Sequence, residues 1–172
     1  MTSRTYWLDL FTAKTWEEFI DSGGKVSGFR EHRWKLVQQV KIGDYLLCYL
    51  TGVSRWIGIL EVTSTAFKDG SPIWKDDNFP CRLKVKNLAK LTIDTAVPVL
   101  DLRDRLSIFS NLKSPMAWTG HFRGSPSRFS ASDGLAISQA ILEAQKNPIH
   151  RPSGDKKGPN APSVLAISAA FA

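Results

Sequence analysis

Two features of this chain suit a flat, negatively charged ligand. The first is the stretch "HFRGSPSRF", residues 121–129, where Arg123 and Arg128 flank Gly124, Ser125, Pro126 and Ser127. Guanidinium forks, serine hydroxyls and main-chain N–H groups near a helix start all favour phosphate oxygens. Arg123, Ser125 and Arg128 are therefore read as phosphate contacts, against the plainer reading of a solvated connection. The second is the set of tryptophans, six in 172 residues. Trp7, Trp16 and Trp56 have apolar neighbours at core spacing. Trp34 in "GFREHRW", Trp74 in "SPIWKDDNFP" and Trp118 in "PMAWTGHF" lie in polar segments bearing glycine or proline. An indole there either tucks under its loop or offers a stacking face, and a nucleobase is the flat ligand that suits a basic chain.

Catalytic and metal chemistry find little support. Ser125 has its glycine adjacent, not in the G-x-S-x-G order of a strained nucleophile turn. His32, His121 and His150 stand in no nucleophile or metal spacing, and Cys48 and Cys81 form no ligand pair. Cys48, inside "YLLCYL", reads as a buried strand thiol. "DSGGKVSG" lacks the order of a phosphate-binding P-loop and reads as a helix stop followed by a loop. The expectation is a binding protein with no enzymatic activity, no metal and no cofactor.

Charge points to the partner. The formal net charge is +7, and residues 106–132 contain no acidic side chain while Lys113, Arg123 and Arg128 are present. A polyanion is favoured, nucleic acid ahead of an acidic membrane surface. No apolar run approaches the roughly 20 residues that span a bilayer, and the opening "MTSRTYWLDL" lacks an apolar signal core. The expectations are a cytoplasmic location, no membrane association and a monomer.

Elements must position these side chains. "RTYWLDLFT" alternates as a strand covered on both faces. "TAKTWEEFIDSGG" reads as a short helix, with Thr15 and Glu18 at capping-box spacing, Trp16, Phe19 and Ile20 on one face, and Gly23-Gly24 as its stop. Residues 25–40 read as a loop with a short helix at 32–39. "YLLCYL" and "RWIGILEV", joined by "TGVS", form an antiparallel hairpin. "FPCRLKVKNL" is a strand with Cys81, Leu83 and Val85 on one face and Arg82, Lys84 and Lys86 on the other. "AVPVLDLRDRLSIF" starts extended and turns helical near 101. "SASDGLAISQAILEAQKN" is a helix capped by Ser130 and Asp133, burying Ile137, Ala140, Ile141 and Ala144. The order fits an α+β domain around a curved, mostly antiparallel sheet. Residues 147–172 read as a tail, because "NPIHRPSGDKKGPNAPS" holds four prolines and two glycines before an apolar "VLAISAAFA".

The stretches "YWLDLFTAKTWEEF", "GFREHRW", "VKIGDYLLCYLTGVSRWIGILEV", "SPIWKDDNFPCRLKV" and "WTGHFRGSPSRFSASDGLAI" together resemble the EVE domain, a PUA-like relative of YTH, SRA and ASCH domains. The resemblance covers about residues 4–145 and implies a domain over 1–146. It implies a PUA-like pseudobarrel of about five or six mostly antiparallel strands with flanking helices, and an aromatic pocket that takes a modified base out of its strand. By segment, Trp34, Trp74, Phe29, His32 and Tyr49 would wall the pocket. Ser54, Arg55 and Asn78 would meet the base edge or rim, and Arg123, Ser125 and Arg128 the phosphates. The implied role is a DNA-binding reader of 5-substituted cytosine, such as 5-methylcytosine or 5-hydroxymethylcytosine, in modification-dependent restriction with a fused or separate nuclease. Alternatives are a reader of modified RNA or tRNA bases, and a small ASCH-like hydrolase. The hydrolase reading needs a G-x-K-x-x-E-x-R spacing that the sequence lacks.

Overall fold

The structure, a computed structural model, describes residues 3–152. Eight strands curl into one sheet: β1 (Tyr6–Phe11), β2 (Val26–Phe29), β3 (Tyr45–Leu50), β4 (Arg55–Val62), β5 (Phe67–Lys68), β6 (Cys81–Lys90), β7 (Val97–Pro98) and β8 (Ser127–Phe129). Their order across the sheet is β2-β6-β4-β3-β1-β8, with β5 beside β6 and β7 beside β4. Among the described residues three α-helices flank it: α1 (Ala13–Asp21), α2 (Trp34–Val37) and α3 (Ala131–Lys146). The α+β half-barrel expected from the pattern is present, and its pairings are antiparallel except one. β1 runs parallel to β3, from Tyr6 beside Tyr45 to Phe11 beside Leu50, because α1 and β2 carry the chain across before it re-enters the sheet.

β3 and β4 supply the centre of the core, with Leu46, Leu47, Leu50, Ile57 and Leu60 fully buried. The Gly43-Asp44 turn before them is a bracket for β1. The Asp44 carboxylate accepts from the main-chain N–H groups of Thr5 and Lys41 and from the Trp7 indole N–H at 3.0 Å. Trp7, Trp16 and Trp56 pack in the core as expected.

Four local features depart from the sequence pattern. The cap of α1 begins earlier, with Thr12 and Thr15 exchanging the capping-box bonds rather than Thr15 and Glu18. Residues 26–29, read as loop, form β2, which has no long apolar run because it is a sheet edge only four residues long. Arg82, on the charged face of its strand, is nonetheless 2% exposed. Its guanidinium is covered by the 69–79 loop and donates to the Phe79 carbonyl and to the Ser71 hydroxyl and carbonyl. The tail does not leave the domain at 147. Arg151 pairs with Asp101 at 2.9 Å and donates its main-chain N–H to the Asp94 carbonyl. Residues 153–172, with the remainder of the expected linker and the apolar end, lie outside the described residues.

Candidate functional site

The half-barrel does not close. β2 ends the sheet on one side, and on the other β8 covers β1 only from Tyr6 to Leu8. Between β2 and the second half of β1 there is no main-chain pairing. A side-chain bond crosses this seam: the Ser27 hydroxyl donates to the Asp9 carboxylate at 2.5 Å. Both groups are buried. Burial pushes the Asp9 carboxyl up to about 7, with the Ser27 bond partly opposing the rise. Burial, and then the neighbouring Asp9, push the Cys48 thiol well up, as befits an unreactive core cysteine.

One residue further along each strand, Leu10 and Gly28 line a cavity of about 310 Å³, at the small end of ligand pockets (roughly 300–1,000 Å³). Its walls differ in chemistry. One is aromatic: Phe29, Trp74 and Phe79, the last two edge to face with centroids 5.0 Å apart. Cationic and polar residues also line the cavity: Arg30, whose guanidinium lies over the Phe79 ring at 5.1 Å, with His32, Arg33, Arg123, Gly124 and Ser125. Asp77 is the carboxylate in the wall, and it pairs with Arg30 at 3.2 Å.

The aromatic wall is held from three sides. The Trp74 indole N–H donates to the Thr15 carbonyl of α1 at 3.2 Å. The next residues are tied to the same helix, Lys75 N–H to the Glu18 carboxylate and Asp76 to Lys14. Arg82 clamps the loop from beneath, its Cζ 5.6 Å from the Trp74 ring centroid. The fit over β2 requires glycine: a Cβ at position 28 would lie 2.7 Å from the Phe79 carbonyl oxygen and 2.8 Å from the Trp74 ring.

The seam also leaves main-chain groups available. Val85 N–H bonds to the Lys25 carbonyl, so alternation directs the main chain of Ser27 and Phe29 to β6 and that of Gly28 to the opening. Across the gap, the Leu10 N–H donates to Ser125 Oγ at 3.2 Å, and the Leu10 carbonyl points to the same edge.

Of the residues singled out by sequence, Phe29, His32, Trp74, Arg123 and Ser125 meet around this cavity, though they are spread over nearly a hundred positions. The others lie elsewhere. Trp34 follows the short turn Glu31–Arg33, which points His32 and Arg33 at the cavity and swings Trp34 round to the core side, under Lys68 at 4.9 Å. Tyr49 is buried in the core, stacked on Phe122 at 4.1 Å. Ser54 has φ 55° in the hairpin turn, Arg55 donates to the Ile93 and Arg151 carbonyls, and neither lines this cavity. Asn78 is exposed between the wall residues Asp77 and Phe79 without joining them. Arg128 lies over the Trp7 ring at 4.9 Å on the outer face of β8. Trp118 packs against Phe109 and Phe122. The expected helix start beside Arg123 is also displaced, since β8 intervenes and Ser130 caps α3 itself. Sequence reasoning missed Arg33, Phe79 and the Gly28 main chain. Phe79 shares the polar loop of Trp74, which was a usable signal; Arg33 had none.

An α+β half-barrel with a mixed aromatic and cationic cavity at its open seam is thus the class that fold and site define. No protein-family model matches the chain, and no curated protein sequence matches it. Solved structures do match its fold. The Pho92 YTH domain in complex with m6A superposes with a TM-score of 0.64 at 16% identity, over 87% of this chain and 90% of that one. The Mmi1 YTH domain in complex with RNA gives 0.63 at 13% identity, over 86% and 84%. A hypothetical protein from Leishmania major gives 0.59 at 21% identity, over 83% and 98%.

Proposed function

We propose that this protein is a reader of a modified nucleobase, of the EVE type, and that it takes the flipped base into the cavity at the open seam. The observation that carries the reading is the mixed lining of one cavity: Phe29, Trp74 and Phe79 together with Arg33 and Arg123. A flipped base loses stacking worth a few kcal/mol, and aromatic faces return ~1–3 kcal/mol per base. A single added methyl contributes only about 0.8 kcal/mol by burial, so the base edge must be read by hydrogen bonds as well. The free N–H and carbonyl of Gly28 and the Leu10 carbonyl supply a donor and acceptors in fixed positions. Arg123 and Ser125 hold the backbone.

The nucleic acid assigned first is DNA carrying a 5-substituted cytosine, on the EVE resemblance, with the protein serving as the recognition part of a modification-dependent restriction system and a nuclease acting as effector. The second reading is methylated adenine in RNA, favoured by the fold neighbours solved with RNA and with m6A. Both are binding functions. A hydrolase of the ASCH kind is disfavoured because the cavity wall, among the described residues, holds neither lysine nor glutamate.

Titration of matched DNA and RNA oligonucleotides bearing cytosine, 5-methylcytosine, 5-hydroxymethylcytosine, adenine or N6-methyladenine decides between them. Preference for a modified over an unmodified strand is expected, and Trp74→Ala should bring that preference to about one. An undiminished preference in Trp74→Ala sinks the assignment of the cavity.

A further inference from the structure

Among the described residues, the guanidinium groups of Arg33 and Arg123 form no ion pair, and neither makes a hydrogen bond to the protein. The other arginines around the cavity and its supports are engaged: Arg30 with Asp77, Arg82 with Phe79 and Ser71. Arg33 is also half-buried. Its guanidinium meets Gly124 through the Nη2 end, where a Cβ would come within 1.8 Å of Nη2 and 2.8 Å of Cζ. A fork with five N–H donors, placed beside a cavity and given no acceptor by the fold, suits an anion brought by the ligand. Ser125 adds a donor on the same side. Its Oγ accepts the Leu10 N–H, which leaves its own O–H to give.

We propose that Arg33 and Arg123, with Ser125, form a phosphate subsite for the same nucleotide whose base enters against Phe29 and Trp74, so that the cavity takes a whole nucleoside monophosphate unit. The inference rests on the base-reading function above and extends it. It makes Arg33 a binding residue and makes Gly124 the position that admits it. The aromatic wall alone grips a nucleoside. The cationic wall adds affinity only when the phosphate is attached, and it orients the unit so that the base edge faces Gly28 and Leu10.

Calorimetric titration of the full chain with 5-methyl-2′-deoxycytidine, N6-methyladenosine, their 5′- and 3′-monophosphates and ribose 5-phosphate tests this. A monophosphate should bind at least about tenfold tighter than its nucleoside, with the advantage shrinking as salt rises. Arg33→Gln should bring the ratio of nucleotide to nucleoside affinity close to one. Gly124→Ala, which occupies the seat of the guanidinium while leaving the arginine in the chain, should lower the same ratio. Equal affinity for nucleoside and both monophosphates overturns the subsite and leaves base reading intact. So does an Arg33→Gln protein, folded by circular dichroism, that keeps the full phosphate advantage. Ribose 5-phosphate binding as tightly as the modified nucleotides, with no affinity for the nucleosides, supports the subsite and overturns the base reading.

Discussion

Asp9 shows how much a single side chain at the seam can control. Its carboxyl is 1% exposed, bonded to Ser27, and raised by burial from 3.8 to about 7. The unfolded chain releases this proton near pH 4 while the native protein keeps it until about pH 7. The native state therefore binds the extra proton between those values, and stability falls as pH rises through that window. The loss reaches at most about 4 kcal/mol and levels off above pH 8. Urea denaturation from pH 4.5 to 8.5 should show this decline, and Asp9→Asn should flatten it. A pH-independent midpoint in the wild-type protein would rule the assignment out. The residue's type and its alternation with Leu8 and Leu10 were visible in the sequence. Its burial was not, because the strand is covered on both faces and the polar side faces Ser27, a partner 18 positions away.

At the scale of elements, the loop from 69 to 79 is the part that depends most on support from outside itself. It has almost no regular structure, and its aromatic side chains stand where they do because α1 accepts the Trp74 N–H and Arg82 of β6 holds the Phe79 and Ser71 carbonyls. Arg82→Met keeps the length and apolar stem but leaves those carbonyls without a donor, at a cost of ~1–3 kcal/mol. The expected result is a lower unfolding midpoint together with weaker ligand binding, because Trp74 loses its footing. Unchanged affinity with a lowered midpoint would show that the loop does not depend on Arg82 for its bound shape. The alternation of "CRLKVK" placed Arg82 on the charged face, and in a geometric sense that is right, since it points away from the barrel. A loop folded over it makes that outer face an inner one, and no local pattern could report that.

For the whole molecule, the net charge of +7 favours a polyanionic partner, and the proposed reading brings its ligand to rest at the seam. Each phosphate contact releases counterions, so Arg123→Ala should weaken modified and unmodified strands about equally and reduce the slope of log K against log salt by about one. Loss of modified-base preference in Arg123→Ala would instead make it a base-reading group. The sequence by itself determined the sheet-forming runs, the helix stops, the core tryptophans and the basic, nucleic-acid-like balance. These follow from side-chain periodicity and turn chemistry, which act between neighbours in the chain. Tertiary structure alone decided which polar-segment aromatics share a wall, because a short turn at Glu31–Arg33 sends Arg33 into the cavity and Trp34 away from it. It also decided that an unclosed edge between β1 and β2 would supply the main-chain groups, since the cavity is bounded by strands and loops that meet only when the sheet curls.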